Sequence, residues 1–437
     1  MSAPDPSTSD TTGYHHADVR PVPRTSIVVA ALSTIVEWYD FTLYLFMTAI
    51  LSRVMLGGGS DSVLAVLAVF AISYVLRPLG ALCFGYLGDR YGRRPVLLLS
   101  MAMMAVAMLA TALLPTYDQV GAWAAALLLL VRCVTALSVG GEYTGVITYL
   151  VESAHPRRRG VVASIAAAAS EIGALLAVAI TALVTVLVPT PALDTWGWRI
   201  PFLVGALLAL LTLGARSTMK ESPEFGSARR SGKTVRRPLA DALRHQRPAI
   251  YRTFVISALA SITYYVGVSY LPTYLSTVNG LSEGTSLMIS TAASLAVVVV
   301  TPFVGYFADR SGRRPVLVLL AALCAVLPIG MFAALGSNNI GVALSAAAVL
   351  ALLAGGVGAV GASATPEQFS VPSRLSGLAV ATVATTIFGG FTPYLSQSLI
   401  STTGWTLLPG VMLTVVAVFA MPVLWRLPET AAGRSGG

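Results

Sequence analysis

Long apolar runs recur from about residue 27 to about residue 426, separated by short polar connections that carry most of the charge. A helix needs roughly 20 apolar residues to cross the hydrocarbon core of a bilayer. The runs predict twelve spanning helices, near 27–51, 62–88, 95–114, 119–151, 160–189, 199–215, 251–279, 285–308, 315–335, 340–364, 374–402 and 405–426. A transmembrane barrel would instead show alternating segments of roughly 10 residues. The pattern therefore predicts an all-α integral membrane protein. Residues 1–24 are rich in Ser, Thr, Pro and Asp and read as a tail, since no short apolar region with a cleavage site follows.

Composition agrees. The chain is 56% hydrophobic and 11% charged, with a mean hydropathy of +0.78. A soluble chain carries about twice that charged fraction. Cys83, Cys133 and Cys324 form no pairing set and no metal spacing, and their apolar surroundings suggest small buried packing residues.

Charge sets an orientation. The even-numbered connections hold Arg90, Arg93 and Arg94, then Arg157, Arg158 and Arg159, then Arg310, Arg313 and Arg314. Nine Lys or Arg residues fall between Arg216 and Arg247, in the connection after the sixth span. The odd-numbered connections hold almost none, the exceptions being Arg53 and Arg199. By the positive-inside rule both termini and the central loop are expected in the cytoplasm. The net charge of +9 is then a matter of topology, and a nucleic-acid partner is not expected.

The chain repeats itself. Gly85-Tyr-Leu-Gly-Asp89-Arg90-Tyr-Gly92-Arg93-Arg94-Pro95-Val-Leu returns 220 residues later as Gly305-Tyr-Phe-Ala-Asp309-Arg310-Ser-Gly312-Arg313-Arg314-Pro315-Val-Leu, identical at ten of thirteen positions. Each copy lies between the second and third spans of its half. Internal symmetry of this kind is how secondary transporters are built, with the site between the halves at mid-membrane. The expected organisation is a tail over 1–24, a six-helix bundle over 25–215, a cytoplasmic loop over 216–250, a second bundle over 251–426 and a tail over 427–437. Within the repeat, Gly85 and Gly305 allow close helix approach. Asp89 and Asp309 stand at the cytoplasmic ends of their helices, where they can pair with arginines and with positive helix N-termini across the half. Gly92 and Gly312 permit a tight turn.

Ionisable groups inside the spans are costly and are functional candidates by default. They are Glu37, Asp40, Arg77, Arg132, Glu142 and Glu171. His15, His16, His155 and His245 all lie outside the predicted spans, which leaves carboxylates to carry protons. No nucleophile–base set, metal constellation or P-loop is present, so catalytic residues, bound metal, cofactors and ATP drive are not expected.

The repeated loop resembles the signature of the major facilitator superfamily. Further segments resemble its metabolite:proton symporter family: Glu37-Trp-Tyr-Asp40-Phe-Thr-Leu-Tyr44, Arg77-Pro-Leu-Gly80, Ser138-Val-Gly-Gly-Glu142-Tyr143-Thr-Gly145, Glu152 with Arg159-Gly160, Trp196-Gly-Trp-Arg199-Ile-Pro-Phe and Glu221-Ser-Pro-Glu-Phe225. The resemblance implies two six-helix bundles in a bacterial inner membrane, importing a small organic acid or zwitterion with protons, as a monomer and in contact with lipid. Span seven, with Tyr264, Tyr265 and Tyr270-Leu-Pro272-Thr-Tyr274, looks most like proline/betaine transporters. Aromatic faces suit a quaternary ammonium group. An exporter that shares the fold is the rival reading.

The resemblance also implies roles. Asp40 or Glu37 would pair with Arg132 and carry the proton, and Glu142 would line the proton path or serve packing. Arg77 would meet a substrate carboxylate or be structural. Tyr44, Tyr143, Tyr264 and Tyr265 would line the substrate site. Glu171, unexpected in the fifth span, would hold the cationic end of a substrate, carry a second proton, or stay neutral by burial. The inner gate would combine Asp89, Arg90, Arg93, Arg94, Glu152 and Arg159 with Asp309, Arg310, Arg313, Arg314, Glu367 and Arg374.

Overall fold

A computed structural model describes residues 24–59, 61–91, 93–140, 158–217, 243–337, 339–369, 374–381 and 383–431. Regular structure among them is entirely helical. Among the described residues eight helices are long and apolar enough to cross a membrane, and nine if the bent pair at the first span counts as one. Two shorter apolar helices, Leu97–Leu113 and Trp123–Val139, occupy the third and fourth spans. The eleventh span is built from the pieces Arg374–Ala381, Val383–Thr385, Thr386–Gly390 and Thr392–Thr403. These together match the twelve runs of the sequence.

The outer surface is apolar. Phe419, Val326 and Trp123 are 77%, 74% and 72% exposed, as expected where lipid tails replace water. With hydrocarbon outside, packing depends on small residues and buried polar groups. Arg77-Pro-Leu-Gly80 and the glycines after Ser138 illustrate this. A Cβ on Gly80 would lie 2.2 Å from the Leu137 carbonyl oxygen, and one on Gly140 would lie 2.3 Å from that of Arg77. Spans two and four thus touch backbone to backbone. Span five, Arg159–Leu187, packs against span one of its own half and span eight, Glu283–Ser311, of the other.

The first span differs from its predicted limits. It runs Arg24–Phe46, bends by 66° and continues as Thr48–Leu56. No proline or glycine stands at the bend. Instead Thr42 Oγ1 donates to the Trp38 carbonyl at 2.6 Å and Thr48 Oγ1 to that of Leu45 at 2.7 Å. Such back-bonding competes with the helical ladder and bends it. Wide, π-type turns interrupt spans seven and eleven at Tyr265–Ser269 and Thr386–Gly390. They meet at the half-to-half seam, where a Cβ on Gly389 would lie 2.6 Å from the Tyr265 ring.

The cysteine expectation is corrected in part. Cys324 is buried, whereas Cys83 is exposed and Cys133 half-buried on helix faces that packing does not cover.

Candidate functional site

Glu37 and Asp40 leave the first span toward different partners. Asp40 is 2% exposed and accepts from Arg132 Nη1 of span four at 3.3 Å. The Arg132 guanidinium lies over the Tyr44 ring, 4.7 Å from its centroid, while its Nε has no partner among the described residues. This buried pair is therefore held by one long hydrogen bond and a ring face. Neutralising the acid would leave the buried guanidinium without its counter-ion, so the state of Asp40 and the position of Arg132 are linked.

Glu37 is 1% exposed and accepts from Arg77 Nη2 at 2.7 Å. Arg77 Nη1 donates to the Tyr74 hydroxyl at 2.9 Å, and that hydroxyl lies 3.1 Å from the Tyr265 hydroxyl. Carboxylate, guanidinium and two phenols thus form one line that starts in the first half and ends in the second. Around it stand rings. Arg77 sits 5.3 Å from the centroids of both Phe41 and Tyr74. Trp38 meets Tyr264 edge-on at 5.2 Å, and Phe41 meets Tyr265 at 5.7 Å. A cation, an anion and aromatic faces therefore converge where the halves meet.

At the end that carries the basic loops, Asp309 joins the halves. Its Oδ1 accepts from the Gly160 amide at 2.9 Å and its Oδ2 from the Val161 amide at 2.8 Å, at the N-terminus of span five. A carboxylate is favoured there by the helix dipole and the free amides. Arg313 of its own half lies 2.7 Å from Asp309 Oδ1 and also pairs with Glu367 at 3.4 Å. Gly305 makes room, since a Cβ on it would lie 2.3 Å from Ser164 Oγ.

Several expected site residues fall elsewhere. Tyr44 is fully buried, and its hydroxyl donates to the Val66 carbonyl at 2.9 Å. It supports Arg132 rather than lining a gap, because the first half packs around it. Arg310 stacks on Tyr306 of its own helix at 4.7 Å, and the Arg314 side chain is exposed, so neither joins the Asp309 cluster. Arg159 starts span five but forms no ion pair among the described residues. Glu171 is 8% exposed and joins neither ion pair of the first half. Its Oε2 has no partner among the described residues. Glu142, Tyr143 and Glu152 lie outside the described residues. For Asp89, Arg90, Arg93, Arg94 and Arg374 only the helical backbone is described.

Sequence reasoning missed two features. Tyr74 was not singled out in its apolar run, and Trp38 and Phe41 were read only as part of the Glu37–Tyr44 segment. Glu429 looked like a tail residue, yet it accepts from the Arg313 and Arg314 amides at 2.8 and 3.1 Å and so caps span nine. Leu427 and Ala431 on either side of it are 1% and 2% exposed. A signal existed: a Glu followed by a hydroxyl residue comes just after the sixth span, as Glu221-Ser222, and just after the twelfth, as Glu429-Thr430.

The family described as "Sugar (and other) transporter" matches residues 26–246 and 229–434. An ectoine/proline transporter of Corynebacterium glutamicum is 33% identical, over 95% of this chain and 86% of its own. A proline/betaine transporter of Escherichia coli K12 is 33% identical, over 93% and 84%. A glycine betaine/proline/ectoine/pipecolic acid transporter of Dickeya dadantii is 31% identical, over 93% and 84%. Among solved structures, a proton:xylose symporter bound to 6-bromo-6-deoxy-D-glucose superposes with a TM-score of 0.75 at 19% identity, covering 93% of this chain and 96% of that one. A partially occluded inward-open form of the Escherichia coli xylose transporter gives 0.73 at 20%, covering 93% and 98%.

Proposed function

Because the chain belongs to the sugar (and other) transporter family of the major facilitator superfamily, we propose that it imports a small zwitterion together with protons by alternating access. It is a multi-pass membrane protein with that superfamily's fold of twelve helices in two six-helix bundles. The observation that carries the proposal is the line Glu37–Arg77–Tyr74–Tyr265, set among aromatic rings where the halves meet. A zwitterion presents a carboxylate and a cation a few ångströms apart. Arg77 suits the first through bidentate hydrogen bonding. Glu37 and the faces of Phe41, Tyr74 and Tyr265 suit the second. The names of the relatives, which include proline, betaines and ectoine, favour this class over dicarboxylates.

The Asp40–Arg132 pair is the proposed proton site. Ionised Asp40 holds Arg132, and protonation releases it so that the halves can rock. Glu171 is a second buried carboxyl within the same half. Asp309, Arg313 and Glu367 form the inner gate. The positive-inside rule puts that gate in the cytoplasm of a bacterium, with the protein in the plasma membrane. One chain supplies both halves, so the unit of function is a monomer.

The test is uptake into proteoliposomes. Labelled betaine or proline should accumulate under an inward proton gradient, and collapse of the gradient should abolish accumulation. Efflux without gradient-driven uptake overturns the reading in favour of an exporter.

A further inference from the structure

Arg53 stands at the end of the bundle opposite the basic loops, where the charge pattern leaves almost no arginine. It closes the short helix Thr48–Leu56 of the first half. Its guanidinium is shared between two carboxylates. Nε and Nη2 donate to Asp194 at 3.0 and 2.9 Å. Nη1 and Nη2 donate to Glu283, the second of these at 3.3 Å. Asp194 lies in the wide turn Leu193–Gly197 between spans five and six, in the same half as Arg53. Glu283 is the first residue of span eight, in the other half, where the helix N-terminus favours an acid.

The three side chains are 32%, 31% and 27% exposed, so water reaches them. Beside them lies a cavity of about 400 Å³, lined by Ser52, Arg53, Ser62, Ser276, Thr277 and Glu283 from both halves. Separation of the halves at this end must break Arg53–Glu283. It need not break Arg53–Asp194. An arginine that lost its only partner would be left with an uncompensated charge, which is costly. Arg53 avoids that cost by keeping Asp194. The basic end follows the same plan with the sign reversed. Asp309 keeps Arg313 of its own half while it binds the Gly160 and Val161 amides of the other.

We propose that Arg53 and Glu283 form the outer latch of the transporter, with Asp194 as a positioning residue that competes with Glu283 for the same guanidinium. This requires only the two-half fold and not the identity of the substrate. The two acids therefore act in opposite senses. Loss of Glu283 frees the outer end. Loss of Asp194 hands Arg53 to Glu283 alone and holds the outer end closed.

The experiment reads accessibility, with no substrate or proton gradient. In a background with Cys83, Cys133 and Cys324 changed to serine, Ser62→Cys places a thiol on the cavity wall at a position 7% exposed. Intact cells, de-energised with a protonophore, are treated with a membrane-impermeant maleimide. Ser401→Cys, on an exposed turn at the same end, serves as the control for sidedness. Glu283→Gln should raise the labelling rate at Ser62→Cys roughly tenfold, and Arg53→Gln should do the same. Asp194→Asn should lower it several-fold. Labelling that is unchanged in Glu283→Gln, or that moves the same way in both acid variants, overturns the latch. Arg53→Gln keeps the test decisive if Asp194→Asn does not reach the membrane. Failure of uptake with normal labelling shifts would instead count against the symport reading.

Discussion

Asp309 and Gly160 meet across the two halves, the carboxylate Oδ1 of one accepting the backbone amide of the other at 2.9 Å. The contact exists because residue 160 has no side chain. A Cβ there would lie 2.6 Å from Asp309 Oδ1 and 2.9 Å from the Gly305 carbonyl oxygen, which is backbone and cannot turn away.

Gly160→Ala should therefore keep this end from closing. The expected result is a drop in initial uptake rate of about tenfold or more at normal membrane abundance. It would follow from loss of a charge-assisted contact with two amides of a helix N-terminus, on the order of 1–2 kcal/mol. Radiolabelled uptake with quantitative blotting checks it.

Asp40→Asn should abolish gradient-driven accumulation and leave exchange of substrate across the membrane in place. An amide still fills the space beside Arg132 but takes up no proton. Counterflow and accumulation assays on one proteoliposome preparation separate the two. If accumulation survives in both Asp40→Asn and Glu37→Gln, the carboxylates of the first span do not carry the proton.

Tyr74 and Tyr265 share one hydrogen bond across the seam, at 3.1 Å. Tyr265→Phe removes this bond alone, whereas Tyr74→Phe also removes the acceptor of Arg77 Nη1; both variants keep the rings. Tyr265→Phe should change substrate affinity by about two- to tenfold, the worth of one net hydrogen bond of about 0.5–1.5 kcal/mol, and Tyr74→Phe by more. The double variant should do no more than Tyr74→Phe alone. Substrate titrations on the four proteins form the cycle, and additive effects would mean that the hydroxyls act separately.

Glu429→Gln should lower thermal stability with little effect on substrate affinity. The carboxylate caps span nine through two amides, and loss of such a cap costs about 1 kcal/mol. In a chain of 437 residues that corresponds to a fall in Tm of about 1 °C, readable by scanning fluorimetry in detergent.

What was legible in the sequence follows from what physics makes expensive. Twelve apolar runs could be counted because the bilayer demands a fixed length from each. Asp309 was legible because its segment is written twice, and the repeat fixed its place at a helix end. Asp40 and Arg132 stood out as isolated charges in apolar runs, since few residues are costlier there. Their assignment to each other, with Glu37 going to Arg77, was not legible. It depends on how spans two and four cross span one, and so on the contact of Gly80 with Leu137. Tyr74 was hidden because a tyrosine in an apolar helix reads as packing until its hydroxyl finds a partner. Arg53 looked like a stray exception to the charge pattern, because both of its acids are far away in sequence, at 194 and 283.

The wide turn at Tyr265–Ser269 has its own consequence. The Tyr270 amide donates five residues back, to Tyr265, at 2.9 Å. Span seven thus holds one residue more than a regular helix of the same rise. That surplus sets the heading of everything after it. The Tyr270 hydroxyl reaches Gln397 at 2.6 Å and the Tyr274 hydroxyl reaches the Thr406 carbonyl at 3.1 Å. Deleting a single residue within the turn would restore ordinary winding and swing both tyrosines by roughly 100°. Chain length at this point is therefore a constraint as strict as side-chain identity, and any alignment of relatives has to place its gaps outside it.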